Sequence, residues 1–210
     1  MHAESHQADA LLDRAAAGDV AALGELFESC RPRLRRMIRL RLDCRLQGRV
    51  DPSDILQEAF LDIFRRGAEQ ARSREMPFFL WLRLMTGQKL LEIHRRHLGT
   101  QLRDAAREVT LYAGALPQAS SLSLAAFLMG RQTSASQVAQ RAELQLRLQE
   151  ILNSMAPLDR EVLALRHFEE LSNSETAGVL GISATAASNR YMRALERLKD
   201  ILMEIPAFQE

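Results

Sequence analysis

Cysteine is scarce in this sequence, since Cys30 and Cys44 are the only two thiols among 210 residues. They form no CxxC pair and lie near no histidine cluster, which argues against both a disulfide framework and a zinc site. Long apolar runs are also missing, because none reaches the ~20 residues needed to cross a bilayer. The first ten residues lack the basic start and apolar stretch of a secretory signal. We therefore expect a reduced, cytoplasmic chain without a membrane span.

Glycine and proline are few, at 10 and 6 residues, and sustained alternation of β-branched residues is absent. Apolar residues instead recur three and four positions apart almost throughout, which is typical of amphipathic helices. The pattern predicts an all-α fold. Its predicted helices cover residues 11–17, 20–41, 51–66, 78–97 and 136–155, with three more up to about residue 203.

The helical pattern is interrupted over residues 99–135, where serine, glycine and proline surround a short apolar patch, Leu122–Met129. This composition predicts a linker between one helical domain over residues 1–98 and another over residues 136–210. We expect the apolar patch to pack on a domain, because it is too apolar to stay in contact with water and too short to span a membrane.

Lysine is nearly absent, because Lys89 and Lys199 are the only lysines among 28 cationic residues. The formal net charge is +1, but the charge is unevenly distributed: residues 31–49 hold eight arginines and the single acid Asp43. A local basic surface of this kind suits a nucleic-acid partner. Arginine also suits forked contacts with phosphate, although the base composition of the gene explains its excess equally well. About half of these arginines are expected to line solvent.

The most specific motif lies in Leu171–Leu198. Ser172 and Glu175 have the spacing of a capping box, Gly181 falls where the first helix must end in a left-handed residue, and Ser183 can cap a second helix. This arrangement predicts a helix-turn-helix, whose second helix enters the major groove of DNA. A plain helical hairpin is the alternative, but it does not require the corner formed by residues 181–183.

The second helix of this motif has an apolar inner stripe and a polar outer side. Small polar residues near its amino end can approach base edges, and its arginines can bind phosphates. The predicted DNA-contacting residues are Thr185, Ser188, Asn189, Arg190 and Arg193.

A second motif follows Asp51-Pro52, an N-cap with proline at the first helical position. One stripe of the predicted helix is apolar and expected to be buried: Ile55, Leu56, Ala59, Phe60, Ile63 and Phe64. The opposite face is acidic with one leucine: Asp54, Gln57, Glu58, Leu61 and Asp62. A solvated surface is the ordinary interpretation of such charges, and a docking face for a basic partner helix is the functional one.

The helix predicted over residues 78–97 combines a core-forming aromatic and aliphatic stripe with basic residues. We expect Lys89, Arg95 and Arg96 to neutralise phosphates of a nucleic-acid strand. His94 and His97 are three apart but have no third ligand nearby, so no metal site is predicted.

These motifs, in this order, resemble the extracytoplasmic-function (ECF) group of the sigma-70 family of RNA polymerase sigma factors. Residues 157–199 resemble region 4, in which a helix-turn-helix reads the −35 promoter element. Residues 50–64 resemble region 2.2, with its D-L-x-Q-E-x-F pattern, and residues 78–97 resemble regions 2.3 and 2.4, which open and hold the −10 element.

The resemblance implies a non-catalytic subunit without a cofactor that binds core RNA polymerase and promoter DNA. The residues it assigns to the β′ clamp helices are Asp54, Gln57, Glu58 and Leu61, and it also implies a contact with the β flap. At the −10 element, Gln88 and Glu92 stand where the family commonly has Asn and Asp, beside Lys89, Arg95 and Arg96. The loop Ser73–Pro77 corresponds to the loop that holds a flipped promoter base, and the arginines of residues 31–49 that do not line solvent are expected to face DNA or polymerase. For the apolar patch Leu122–Met129 the resemblance implies an alternative to packing on a domain, namely a position in polymerase channels after assembly.

Two other classes of protein compete with this interpretation. A two-domain helix-turn-helix regulator would occupy an operator without polymerase, and binding to core polymerase separates it from a sigma factor. An enzyme is the least supported of the three interpretations, because the sequence has no glycine-rich phosphate loop, no nucleophile paired with histidine and no cluster of metal ligands. Whether an anti-sigma factor exists is left open by the sequence.

Overall fold

The computed structural model describes residues 10–70, 76–98, 116–129 and 138–203, and all regular structure within those ranges is helical. The all-α prediction is confirmed. The chain divides into two compact units, Met1–Leu116 and Pro117–Glu210. Among the helices of the described ranges, none has the combination of length and apolar character that crossing a bilayer requires.

The first unit begins with α1, residues 10–16, and α2, Val20–Arg41. Gly18, with φ at +95°, makes the turn between them. Asp19 caps α2, because its carboxylate accepts hydrogen bonds from the N–H groups of Ala21 and Ala22 at 3.0 and 3.1 Å. Pro32 lies inside α2 without ending it.

The remaining helices of this unit are α3, Pro52–Gln70, and α4, Phe78–Leu98. The Asp51 side chain accepts a hydrogen bond from the Ser53 N–H at 2.7 Å, as expected of an N-cap, and α3 continues four residues beyond its predicted end at Arg66. The core is formed by side chains with almost no exposed surface, among them Leu34, Met37, Ile38, Ile55, Leu56, Ile63, Leu82 and Leu90.

Helices α2 and α4 run side by side in the same direction. Near the start of α4, the guanidinium carbon of Arg33 lies 3.5 Å from the ring centroid of Phe79. Near its end, the Asp43 N–H donates to Nε2 of His94 at 3.2 Å. These two contacts place the arginine-rich part of α2 along the flank of α4.

The described residues of the second unit, 117–129 and 138–203, form five helical segments. They are α5, Ser121–Leu128; α6, Val138–Ser154; α7, Pro157–Leu163, which continues into a π-helical turn, Ala164–Phe168; α8, Asn173–Leu180; and α9, Ala184–Met203. Helix α5 contains most of the apolar patch that the sequence places in the linker. It packs on α6 with Leu124 and Ala125 buried, and the rings of Phe127 and Phe168 lie 5.8 Å apart. Burial of this patch explains why the segment belongs to the second unit.

Candidate nucleic-acid and partner-binding surfaces

The corner between α8 and α9 has the geometry that the sequence predicts. The Glu175 N–H donates to Oγ of Ser172 at 3.1 Å, and the Ser172 N–H donates to Oε2 of Glu175 at 2.7 Å, which completes a capping box. Gly181 ends α8 in the left-handed conformation, with φ 63° and ψ 33°. Ser183 then caps α9 by accepting from the Ala186 N–H at 3.1 Å. Both helix ends at the corner are therefore set by local hydrogen bonds.

One further contact ties the two helices of the motif together. The side-chain amide of Asn173, at the start of α8, donates to the carbonyl of Ala184, at the start of α9, at 2.8 Å. Asn173 is not among the residues predicted from the sequence, because a polar side chain just inside α8 gives no signal of a partner eleven residues away. The contact fixes how α9 leaves the turn.

Helix α9 separates a buried stripe from an exposed one. Ala187, Ala194 and Leu198 are buried against the rest of the unit. The exposed residues on the other side, here named the α9 outer face, are Thr185, Ser188, Asn189, Met192 and Arg193. Met192 is 53% exposed although it is apolar, so this face offers one hydrophobic contact among its polar groups.

Arg190 lies beside that face, at the edge of the inner stripe, and it has a partner within the unit. Its Nη1 donates to Oδ1 of Asp159 in α7 at 3.0 Å, and only 32% of its side chain is exposed. The physical reason is that α9 packs on α7, so a residue at the flank of the inner stripe meets the carboxylate in the first turn of α7. The guanidinium is thereby directed toward α7 while about a third of the side chain stays exposed.

Helix α3 exposes a face that is less acidic than the sequence suggests. Asp54, Gln57 and Leu61 are exposed as predicted, and Leu61 keeps 47% of its surface. Phe64 was predicted to be buried but is 45% exposed, although its ring centroid lies 6.2 Å from that of Phe60. These four residues are named the α3 outer face, which is half polar and half apolar.

Lys89 is buried between α3 and α4, which corrects its predicted role at phosphates. Its Nζ lies 2.6 Å from Oδ2 of Asp62, 2.8 Å from Oε2 of Glu92 and 3.9 Å from Oε2 of Glu58. Burial lowers the pKa of Lys89, but hydrogen bonds to Asp62 and Glu92 outweigh it and hold the pKa above its usual value. The ammonium is therefore committed to carboxylates of its own unit, and Glu58 is drawn partly away from the docking role that the sequence predicts.

The other predicted residues of α4 remain at the surface. Gln88, Glu92, Arg95 and Arg96 are exposed and follow one stripe, here named the α4 polar face. Within it, Arg96 donates to Glu92 at 2.9 Å, and the hydrogen bond from Lys89 is the main cause that lowers the pKa of Glu92. The loop Ser73–Pro77, predicted to hold a base, lies largely outside the described residues.

The arginines of residues 31–49 differ in exposure, and five of the eight are exposed, close to the half that was expected to line solvent. Arg41 is buried, and Arg33 stacks on an aromatic ring of α4. Those at the surface are Arg31, Arg35, Arg39, Arg45 and Arg49. Arg31 pairs with Glu28 at 3.2 Å, and Arg45 pairs with Asp43 at 2.9 Å.

His94 is buried, and burial is the main cause that lowers its pKa. As the acceptor for the Asp43 N–H it belongs to the packing of α2 on α4. Within the described ranges, no group of three His, Cys, Asp or Glu side chains is arranged to hold a metal ion.

The chain is similar in sequence to proteins of known function. The family described as sigma-70, region 4, matches residues 145–198. The ECF RNA polymerase sigma factor SigD of Mycobacterium tuberculosis is 30% identical over 200 residues, covering 95% of this chain and 86% of that protein. The RNA polymerase sigma-E factor of Streptomyces coelicolor is 43% identical over 56 residues, or 27% of this chain and 32% of that protein.

A solved structure of CnrH in complex with the cytosolic domain of CnrY has a similar fold. The TM-score is 0.50 at 22% sequence identity, and the alignment covers 91% of this chain and 94% of that chain. At this identity the likeness concerns the fold alone.

Proposed function

The chain belongs to the ECF RNA polymerase sigma factors, and from that membership we propose that it acts through the α9 outer face, the α4 polar face and the α3 outer face. As a sigma factor it binds core polymerase and directs promoter recognition and transcription initiation. Sigma factors are not enzymes in general, and we assign no catalytic step to this chain. We propose that it acts in the cytoplasm, together with the polymerase that it binds.

The α9 outer face is proposed to read the −35 element. The helix-turn-helix corner is the observation that carries this proposal, because it presents α9 with its small polar residues outward at the end that enters a major groove. Thr185, Ser188 and Asn189 are short enough to approach base edges, whereas Arg193 reaches phosphate. Met192 supplies an apolar contact of the kind that a thymine methyl group accepts.

The α4 polar face is proposed to bind the separated strand of the −10 element. Arg95 and Arg96 lie in the last turn of α4 and bring positive charge to the backbone, while Gln88 and Glu92 offer hydrogen-bonding groups to bases. Lys89 has no part in this proposal, because its ammonium is enclosed by carboxylates.

The α3 outer face is proposed to dock on the β′ clamp helices of core polymerase, and the second unit on the β flap. Leu61 and Phe64 give the docking face an apolar centre, and Asp54 adds charge that suits a basic partner. The same apolar pair would suit an anti-sigma factor that covers the face while the polymerase is absent.

The experiment is transcription and binding with reconstituted holoenzyme, using a double substitution of Asp54→Lys and Gln57→Lys. Both side chains are exposed. Gln57 is uncharged, and Asp54 forms no ion pair within the described part of the chain. Glu58 is left unchanged, because a lysine there would stand beside Lys89 and disturb the unit. Glu25→Lys, an exposed acid on α2, is the matched control for a change of charge on the same unit.

We expect the double substitution to weaken core-polymerase binding roughly tenfold or more, since like charges placed across an interface cost several kcal/mol. Thermal melting should be unchanged, and the Glu25→Lys control should bind normally. Core binding that is equally strong in the wild-type and doubly substituted proteins would show that the α3 outer face does not dock on polymerase.

A further inference from the structure

The contact between Arg190 and Asp159 joins the proposed recognition helix, α9, to its support, α7. The two groups lie 3.0 Å apart, with side chains 32% and 21% exposed. Partial burial weakens the screening of an ion pair by water, so this pair is less screened than more exposed pairs such as Arg96 with Glu92 and Arg147 with Glu143. It links residues 31 positions apart in the sequence.

Asp159 is itself held in place by its surroundings. Its N–H donates to the carbonyl of Ala156 at 2.9 Å, within the first turn of α7. The next residue, Arg160, donates through Nη1 to the carbonyl of Leu152 at 3.1 Å, at the end of α6. Glu161 then accepts from the N–H of Ala119, just before α5, at 3.2 Å. Three consecutive charged residues thus tie the first turn of α7 to three other elements, which makes Asp159 a fixed point.

The position of Arg190 on α9 determines how its pairing with Asp159 restricts the movement of α9. Arg190 lies between the buried stripe, represented by Ala187 and Ala194, and the exposed Asn189 and Arg193 of the α9 outer face. Two of the three buried residues of the stripe are alanines, and their short side chains interlock less deeply with a neighbouring helix than Leu198 does, so they resist rotation of α9 about its own axis less. A charged hydrogen bond at the edge of the stripe has a defined direction, and rotation of α9 in either sense breaks it.

We propose that Asp159 and Arg190 are positioning residues for promoter recognition: their ion pair sets the rotation of α9 on α7, and Arg190 itself does not contact DNA. The proposal rests on the proposed role of the α9 outer face at the −35 element. Its consequence is that Asp159, an acidic residue that DNA would repel, strengthens promoter binding.

The experiment compares holoenzymes carrying Asp159→Ala, Arg190→Ala, or both. Wild-type holoenzyme first selects promoter-length genomic fragments, which yields the −35 sequence used for the affinity measurements. Glu196→Gln is the matched control for removing an exposed acid from the DNA-binding unit, and Arg193→Ala is the matched control for removing an arginine that faces outward. Asp159→Glu keeps a carboxylate at the end of the pair, and thermal melting of each protein reports folding.

We expect Asp159→Ala and Arg190→Ala each to weaken binding by roughly threefold to tenfold, and the double substitution to be no weaker than either single one. Asp159→Glu should restore most of the affinity. Glu196→Gln should strengthen promoter binding or leave it unchanged, because it only removes a negative charge. Asp159→Ala also removes a negative charge but is expected to weaken promoter binding. The preferred bases and the dependence of binding on salt should be the same for Arg190→Ala and wild type, whereas Arg193→Ala should reduce the salt slope by about one.

Three results would overturn the proposal. One is tighter binding by Asp159→Ala, which would mean that Arg190 is released to contact DNA. Another is a relaxed base preference or a reduced salt slope in Arg190→Ala, and the third is unchanged affinity in both single variants. These outcomes are distinct from failure of the proposed function, in which the wild-type holoenzyme would select no shared −35 sequence.

Discussion

Two glycines three positions apart in and after α8 should respond in opposite directions to the same substitution. Gly181 has φ 63° and ψ 33°, a left-handed conformation that costs an alanine roughly 1 to 2 kcal/mol. Gly178 is an exposed helical residue, and a Cβ added there meets no atom within 4 Å. Alanine is better than glycine in a helix by about 0.8 to 1 kcal/mol. Both substitutions restrict the unfolded chain equally, so their difference, about 2 kcal/mol, reports the folded conformation alone.

Urea unfolding of Gly181→Ala, Gly178→Ala and wild type measures this difference. Trp81 is the only tryptophan and lies in the first unit, so its fluorescence serves as an internal reference, while far-UV circular dichroism follows both units. We expect Gly181→Ala to destabilise the second unit and Gly178→Ala to stabilise it, with the Trp81 transition unchanged in both. Shifts of the same sign and size in the two variants would refute the assignment of a left-handed residue to the corner.

Three further predictions concern single side chains. Lys89→Met should destabilise the first unit by about 2 kcal/mol, because it leaves carboxylates without their shared cation; an unchanged urea midpoint by Trp81 fluorescence would contradict this. Met192→Ala should abolish the difference in holoenzyme affinity between a −35 element containing thymine and the same element containing deoxyuridine at one position, and a difference that persists at every position would exclude Met192 as a methyl contact. Burial lowers the pKa of His94, so its neutral form contributes stability that is present above its unfolded pKa of about 6.5 and is lost as the pH falls through the lower folded value. His94→Gln, which keeps an acceptor, should therefore lose less stability than wild type on acidification, and equal losses would show that His94 does not titrate in this range.

Local features of the molecule could be predicted from the sequence alone because their causes lie within a few residues of one another. A capping box needs Ser172 and Glu175 at a fixed spacing, and the left-handed end of α8 needs a glycine at position 181. The exposure of the α9 outer face follows from the spacing of Ala187, Ala194 and Leu198 on the opposite side. The order of these motifs along the chain was enough to identify the family that the relatives then confirmed.

Only the tertiary structure decided which side chains contact the charged residues that the sequence pattern places at the surface. Periodicity assigns a residue to a face of its own helix, but it carries no information on what lies opposite that face once helices pack. Lys89 therefore looked like a phosphate ligand until α3 placed Asp62 2.6 Å from it. The spacing along α9 could not show that Arg190 pairs with Asp159 of α7, and Phe64 continues a stripe predicted to be buried but is 45% exposed. In each case the deciding contact, or its absence, depends on the packing of separate helices, a property that spacing along one helix does not contain.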